Sequence, residues 1–273
     1  MALLQCNLYS QALKTNTEVN IIIPTPNSGD YEAGTAKNLT FSRGEKFQVL
    51  YLLHGLYGNY ADWLRKTRIE WYADQHQIAV VMPSVGRSFY HDMVHGPQYE
   101  SYVVHELPDL LKRVLPISGR REDTYIAGLS MGGYGCMYLG LKYPEKYGAI
   151  GALSGCLDIA LLADHAADYE MDGRPAVDIE AIAGENAALK GSGSDCFALA
   201  ARLLQEQKPV PEIFFSCGTE DPLFEHHVRA REEFDKLGLP YTAQEHPGVH
   251  NWDYWDTHIV RVLDWLDDVR RGG

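Results

Sequence analysis

Nothing in this chain supplies a cross-linked scaffold. Its five cysteines, Cys6, Cys136, Cys156, Cys196 and Cys217, are odd in number, scattered and never in a C-x-x-C pair. Neither a disulfide framework nor a zinc-ribbon spacing is expected, and reduced thiols in a cytoplasm are. No run reaches the roughly 18 apolar residues of a membrane-spanning helix. The opening MALLQCNLYSQALKTNTEV has no basic start and no sustained apolar run, so no signal peptide is expected. Basic clusters are missing too: 24 Lys and Arg stand against 37 Asp and Glu, a formal net charge of -13. That charge opposes phosphate backbones and anionic lipid, which removes nucleic acid and membrane from the expected partners. There is no internal repeat. What remains, 273 residues with 45% hydrophobic content, suits one large packed domain spanning 1–273.

Apolar, β-rich runs recur at 19–23, 49–53, 79–82, 124–127, 149–153 and 212–216. Several are nearly continuous in apolar residues, as strands buried on both faces of a parallel sheet are. Helical spacing lies between them. Val103, Val104, Leu107, Leu110, Leu111 and Val114 recur at three- and four-residue steps over 102–115, and Ile259, Val260, Val262, Leu263 and Leu266 do so over 258–269. The alternation predicts an α/β fold with a mostly parallel sheet and helices on both faces. Two stretches break the rhythm. Residues 24–46 are rich in Gly, Pro, Asn, Ser and Thr and read as a long surface connection, in hairpin form. Residues 157–211 are too long for an ordinary crossover, hold helical pieces at 159–167 and 198–207, and read as an insertion capping one end of the sheet. Asp158, Asp164, Asp168, Glu170 and Asp172 predict a solvated cap.

The chemistry concentrates at strand ends. Gly128-Leu129-Ser130-Met131-Gly132 fits G-x-S-x-G, with an apolar strand before it and helix formers after it. In such an elbow the serine is held in a strained turn in front of the sheet, and the glycines let strand and helix pass closely. A serine needs a base, and the base needs an orienting carboxylate, which follow in chain order. Asp221, just past the 212–216 strand, is the favoured carboxylate, because a short stiff acid best fixes an imidazole; its neighbour Glu220 is the rival. His250, in a Gly-containing loop before a helix beginning near Trp252, is the favoured base over His246. The strand 49–53 runs into His54-Gly55-Leu56, where such sheets supply a backbone N–H. Leu56 and Met131 are therefore the expected oxyanion donors, with His54 bracing the loop. Trp63 and Trp252 stand where they could line an acyl pocket or fill core. His91 and His95 have metal-pair spacing, but a Gly-Pro follows and no third ligand is evident. His226 and His227 would point apart on a helix. No metal and no cofactor are expected.

LYLLHGLYGNYADW, YIAGLSMGGYG and GVHNWDYW together resemble the esterase D and tributyrin esterase group of α/β-hydrolases, over most of the chain from about Val49 to Trp255. The resemblance implies an α/β-hydrolase fold and a carboxylesterase acting on short acyl esters, with Ser130 as nucleophile, His250 as base and Asp221 as its partner. It implies a small-molecule ester as partner, and self-association into a homo-oligomer is compatible with it. One departure stands out. The cysteine- and threonine-bearing stretch that S-formylglutathione hydrolases carry after the HG turn is replaced here by Tyr57-Gly58-Asn59-Tyr60, which lowers a glutathione thioester as substrate. Feruloyl or acetyl-xylan esters, acyl transfer by the same triad, and a non-catalytic binding role are the competing readings. The intact set of triad and oxyanion segments argues against the last.

Overall fold

Side chains that alternate along strands buried on both faces build the centre of the molecule. In the computed structural model, which describes residues 1–25, 46–165, 170–171, 174–175, 177–185 and 187–271, eight strands form one sheet. In chain order they are β1 (Ala2–Ser10), β2 (Thr15–Ile23), β3 (Val49–Leu53), β4 (Ala79–Pro83), β5 (Thr124–Leu129), β6 (Ala149–Leu153), β7 (Glu212–Gly218) and β8 (Thr242–His246). Their spatial order is β1-β2-β4-β3-β5-β6-β7-β8. β2 is antiparallel to both neighbours, and the pairs from β4 to β8 are parallel. Among the described residues the α-helices of five or more residues are α1 (Asp62–Lys66), α2 (Ile69–Gln75), α3 (Leu107–Val114), α4 (Met131–Lys142), α5 (Ile159–Asp164), α6 (Ile179–Ala183), α7 (Cys196–Gln205), α8 (Phe224–Leu237) and α9 (Trp252–Arg270). This is the α/β-hydrolase architecture.

Each central strand divides its side chains between two cores. Val49, Tyr51 and Leu53 belong to the core shared with residues of α3, α4 and α8, while Leu50 and Leu52 belong to the one shared with Trp63 and residues of α2 and α9. A fully buried aliphatic side chain is worth about 1.5–3 kcal/mol over an exposed one, so the sheet is gripped from both sides.

The structure departs from the sequence expectation in places. β1 has no counterpart among the expected strands, and β2 begins before the expected 19–23 run. Ala2, Leu4, Cys6 and Leu8 face inward while the residues between them face solvent, a weak alternation on an edge strand. The β1–β2 turn is clamped by Glu106, whose carboxylate accepts from Ser10 Oγ (2.6 Å) and from the N–H groups of Gln11 (2.7 Å) and Ala12 (3.1 Å). The expected helix over 102–115 contains a π-helical stretch, Tyr102–Glu106, before α3. Pro108 has no N–H to return to the Val104 carbonyl, and Lys146 Nζ donates to that carbonyl instead, at 3.1 Å. Most of the expected 24–46 connection, residues 26–45, lies outside the described residues.

Between β6 and β7 the chain carries α5, α6 and α7, each capped by the aspartate before it: Asp158, Asp178 and Asp195. Glu170–Met171 and Arg174–Pro175 pair as a short antiparallel ladder. The solvated acidic surface expected here needs correction at Asp158, which is buried, accepts the Leu161 N–H at 2.9 Å and pairs with Arg229 at 2.9 Å. Asp164 is exposed, and Asp168 and Asp172 lie outside the described residues.

Candidate active site

Ser130 stands alone between the end of β5 and the start of α4, with φ 54° and ψ −119°. A non-glycine residue rarely rests there, and the surroundings must hold it. The close approach behind it explains the flanking glycines. A Cβ on Gly132 would lie 2.6 Å from the Leu53 carbonyl oxygen, and one on Gly128 would collide with the Gly132 carbonyl. The Ser130 N–H donates to Leu153 O at 2.9 Å, tying the elbow to β6.

His250 lies between β8 and α9. Its Nε2 is 3.0 Å from Ser130 Oγ, and its Nδ1 is 3.0 and 2.9 Å from the two carboxylate oxygens of Asp221. With Nδ1–H donating to Asp221, Nε2 is free to accept the serine proton. The Asp221 side chain has no solvent exposure, and the Leu223 N–H donates to its Oδ1 at 2.8 Å. The structure thus brings Ser130, His250 and Asp221 together from three strand ends. Glu220 points away, and its Oε2 accepts the Gly248 N–H at 2.6 Å. His246 packs on His258, with ring centroids 4.7 Å apart.

The turn after β3 is braced from several directions. His54 Nδ1 is 2.7 Å from Gly55 O, and His54 Nε2 accepts the Val85 N–H at 3.0 Å, so the ring is neutral with its proton on Nδ1. Burial pushes this imidazole below its ordinary value, against the pull of the Gly55 carbonyl. Tyr90 O–H donates to His54 O at 2.8 Å and Trp63 Nε1–H to Leu53 O at 3.0 Å. Leu56 follows in this turn, and Met131 opens α4, where a helix leaves its first N–H groups without internal partners. Both line the same cavity as Ser130.

That cavity has a volume of about 500 Å³. Its apolar wall includes Phe89, Cys156, Leu162, Val177 and Leu223, with Trp252 among the residues on the side of His250. Trp63 does not line it: the side chain is 1% exposed and packs edge-on behind Trp252, with ring centroids 5.4 Å apart. Its indole N–H is used on Leu53, which draws the ring into the core. Sequence reasoning missed Phe89, held at φ 50° beside Tyr90 at φ 64°, and it missed the contributions of Leu162 and Val177. No local pattern marks any of these three, because a long loop and the insertion carry them there. His91 is buried with its Nε2 2.9 Å from Tyr134 OH, and His95 is bonded through its backbone to Ala181 O. Among the described residues no group of three or more His, Cys, Asp or Glu is placed to hold a metal ion, and no helix is long and apolar enough to cross a membrane.

The Esterase family model matches residues 10–266. The chain belongs to this esterase family. The esterase is 35% identical over 270 residues to an acetyl esterase of Caldicellulosiruptor saccharolyticus, covering 98% of this chain and 99% of that one. Among solved structures, it superposes on the fluorophosphonate-binding serine hydrolase F of Staphylococcus aureus, solved with substrate bound, with TM-score 0.85 and 29% identity over 97% of this chain and 98% of the other. An S-formylglutathione hydrolase of the same organism matches with TM-score 0.81 and 30% identity, again over 97% and 98%. The esterase is a carboxylic ester hydrolase of the serine type, in the esterase D-like branch of the α/β-hydrolases.

Proposed function

We propose that Ser130, His250 and Asp221 are the catalytic triad of this esterase, that the Leu56 and Met131 N–H groups form its oxyanion hole, and that short acyl esters are its substrates. The observation that carries the reading is the continuous path from Asp221 through His250 Nδ1 and Nε2 to Ser130 Oγ, with each step near 3.0 Å. In acylation, Ser130 Oγ attacks the ester carbonyl carbon while its proton passes to His250 Nε2. The carbonyl oxygen becomes an oxyanion against the two N–H groups, where one such donor is typically worth about 10² to 10³ in turnover. The C–O bond then breaks and His250 returns the proton to the departing alcohol. Water repeats the sequence on the acyl-enzyme and releases the acid. Asp221 holds the imidazole in the productive tautomer and offsets its positive charge between the two transfers.

A cavity of about 500 Å³ with an apolar wall supports a short acyl group, as does the acetyl esterase among the relatives. Residues 157–211 serve as a cap on a single domain of 1–273, supplying Leu162 and Val177 to the pocket. All five cysteines are unpaired, which supports a reducing, cytoplasmic compartment. Likeness to an S-formylglutathione hydrolase favours thioester hydrolysis as the second reading. The test is kcat/KM across p-nitrophenyl esters of increasing acyl length, run beside S-acyl thioesters of the same acids. Preference for short oxygen esters supports the proposal, and preference for thioesters replaces it with the second reading.

A further inference from the structure

The two bonds of His250, to Asp221 at Nδ1 and to Ser130 at Nε2, both lie along the plane of its ring. They set where the imidazole sits and leave its tilt about that line unset. Trp255 supplies the missing restraint. Its indole meets the imidazole at 89°, with centroids 4.9 Å apart. The indole is anchored in turn, because its Nε1–H donates to Ser154 Oγ at 3.1 Å. Trp252 meets Trp255 at 90° and 5.2 Å, and Trp63, fastened to Leu53 O, meets Trp252 at 87° and 5.4 Å. Sideways escape of the Trp255 ring is therefore blocked.

Ser154 is an unusual anchor. It is fully buried at the end of β6, holds φ 47°, and donates its N–H to Ser216 O at 2.8 Å. Its hydroxyl touches none of the three triad side chains in any hydrogen bond of the described residues, so the mechanism above leaves it without a task. A strained, buried serine whose side chain holds one indole N–H calls for a function.

We infer that Ser154 and Trp255 are positioning residues that fix the tilt of the His250 imidazole, so that Nε2 can deliver its proton to the leaving group as well as take one from Ser130. This rests on the triad proposed above. The consequence falls on the group that departs. A p-nitrophenolate leaves without needing a proton, whereas an alkoxide must receive one from His250. A loosened ring should therefore harm alkyl esters more than p-nitrophenyl esters.

The experiment is a double-mutant cycle of Ser154→Ala, Trp255→Phe and the pair, each assayed on p-nitrophenyl acetate and on ethyl acetate, with Ser130→Ala alongside. Expected for Ser154→Ala is a kcat roughly tenfold lower on ethyl acetate, a smaller loss on p-nitrophenyl acetate, and an unchanged KM. Trp255→Phe keeps a ring against His250 and removes the same N–H bond, so the double variant should resemble the singles instead of multiplying them. Wild-type kcat in Ser154→Ala on both substrates overturns the inference. So does equal loss on both substrates, or losses that multiply in the pair. Turnover by Ser130→Ala would instead overturn the triad itself. If Ser154→Ala does not fold, the substrate split in Trp255→Phe decides the matter.

Discussion

Glu220 and Asp221 are neighbours that serve one loop in opposite ways: Glu220 Oε2 holds the Gly248 N–H at 2.6 Å, and Asp221 holds His250 Nδ1 at 2.9 Å. The Gly248 N–H keeps the Glu220 carboxyl below its ordinary range, with Thr219 assisting. One carboxylate tethers the backbone from solvent and the other orients the ring from inside.

Asp221→Asn should therefore lower kcat by about 10⁴, since an amide favours the wrong imidazole tautomer. Glu220→Gln should cost less than about tenfold, because an exposed amide oxygen can still accept the Gly248 N–H. Steady-state kinetics on one activated ester compares them. Equal effects, or the reverse order, would show the carboxylate to be wrongly assigned.

Ser130→Ala should fold with an unchanged circular dichroism spectrum and lose activity by about 10⁴ or more. A fluorophosphonate should modify Ser130 and leave Ser154 and Ser216 untouched, because these are 0% and 1% exposed. Peptide mass mapping after labelling reads the outcome directly, and a label on either buried serine would refute the nucleophile.

Acyl length offers a third test. Burial is worth about 0.8 kcal/mol per methylene while space lasts, and Phe89, Leu162 and Leu223 stand on the apolar wall. Catalytic efficiency should rise from acetyl to roughly butyryl and then fall. A monotonic rise into long chains, or activation at a lipid interface, would mean that the 157–211 segment opens as a lipase lid does.

Stability should weaken on the acid side. Burial pushes His91 down to about 4, and His227 and His258 likewise to about 4, burial being the largest cause in each. The unfolded chain takes up these protons near pH 6.5. Between about pH 6.5 and 4 it therefore binds protons that the folded state refuses, so stability falls as pH falls through that window. Melting temperatures from pH 8 to 5 should decline below about 6.5. His91→Gln, which keeps a partner for Tyr134, should flatten part of the slope; an unchanged slope would remove His91 from this account.

Much of the fold was legible because strands of a doubly covered sheet are almost wholly apolar. Val49–Leu53 and Ala149–Leu153 announce themselves without any periodic contrast. β1 did not, because Leu3 and Tyr9 stand on its solvent face beside Gln5 and Asn7 and blur the apolar–polar alternation that marks an edge strand. Ser130 and Asp221 were readable because each follows an apolar run at the sheet's carboxyl edge; the strand before His250, TAQEH, is polar and half-buried, and there chain order after the acid singled the histidine out. Trp63 was read no further than pocket or core, since a buried indole and a pocket indole look alike until the N–H finds its acceptor. Phe89 and Val177 were illegible for a different reason: neither sits in a periodic segment, and only three-dimensional closure brings them to one wall.

The backbone at Ser130, φ 54° with ψ −119°, has a bearing on how such a protein can change over evolutionary time. A conformation that glycine accepts freely and serine resists costs on the order of 1–3 kcal/mol, a sizeable part of the 5–15 kcal/mol that typically separates folded from unfolded chains. Ser130→Gly should thus give an inert protein that melts at a higher temperature than the active one. A lineage that abandoned the reaction would gain heat tolerance by losing its serine, while one that keeps the reaction must find that stability elsewhere.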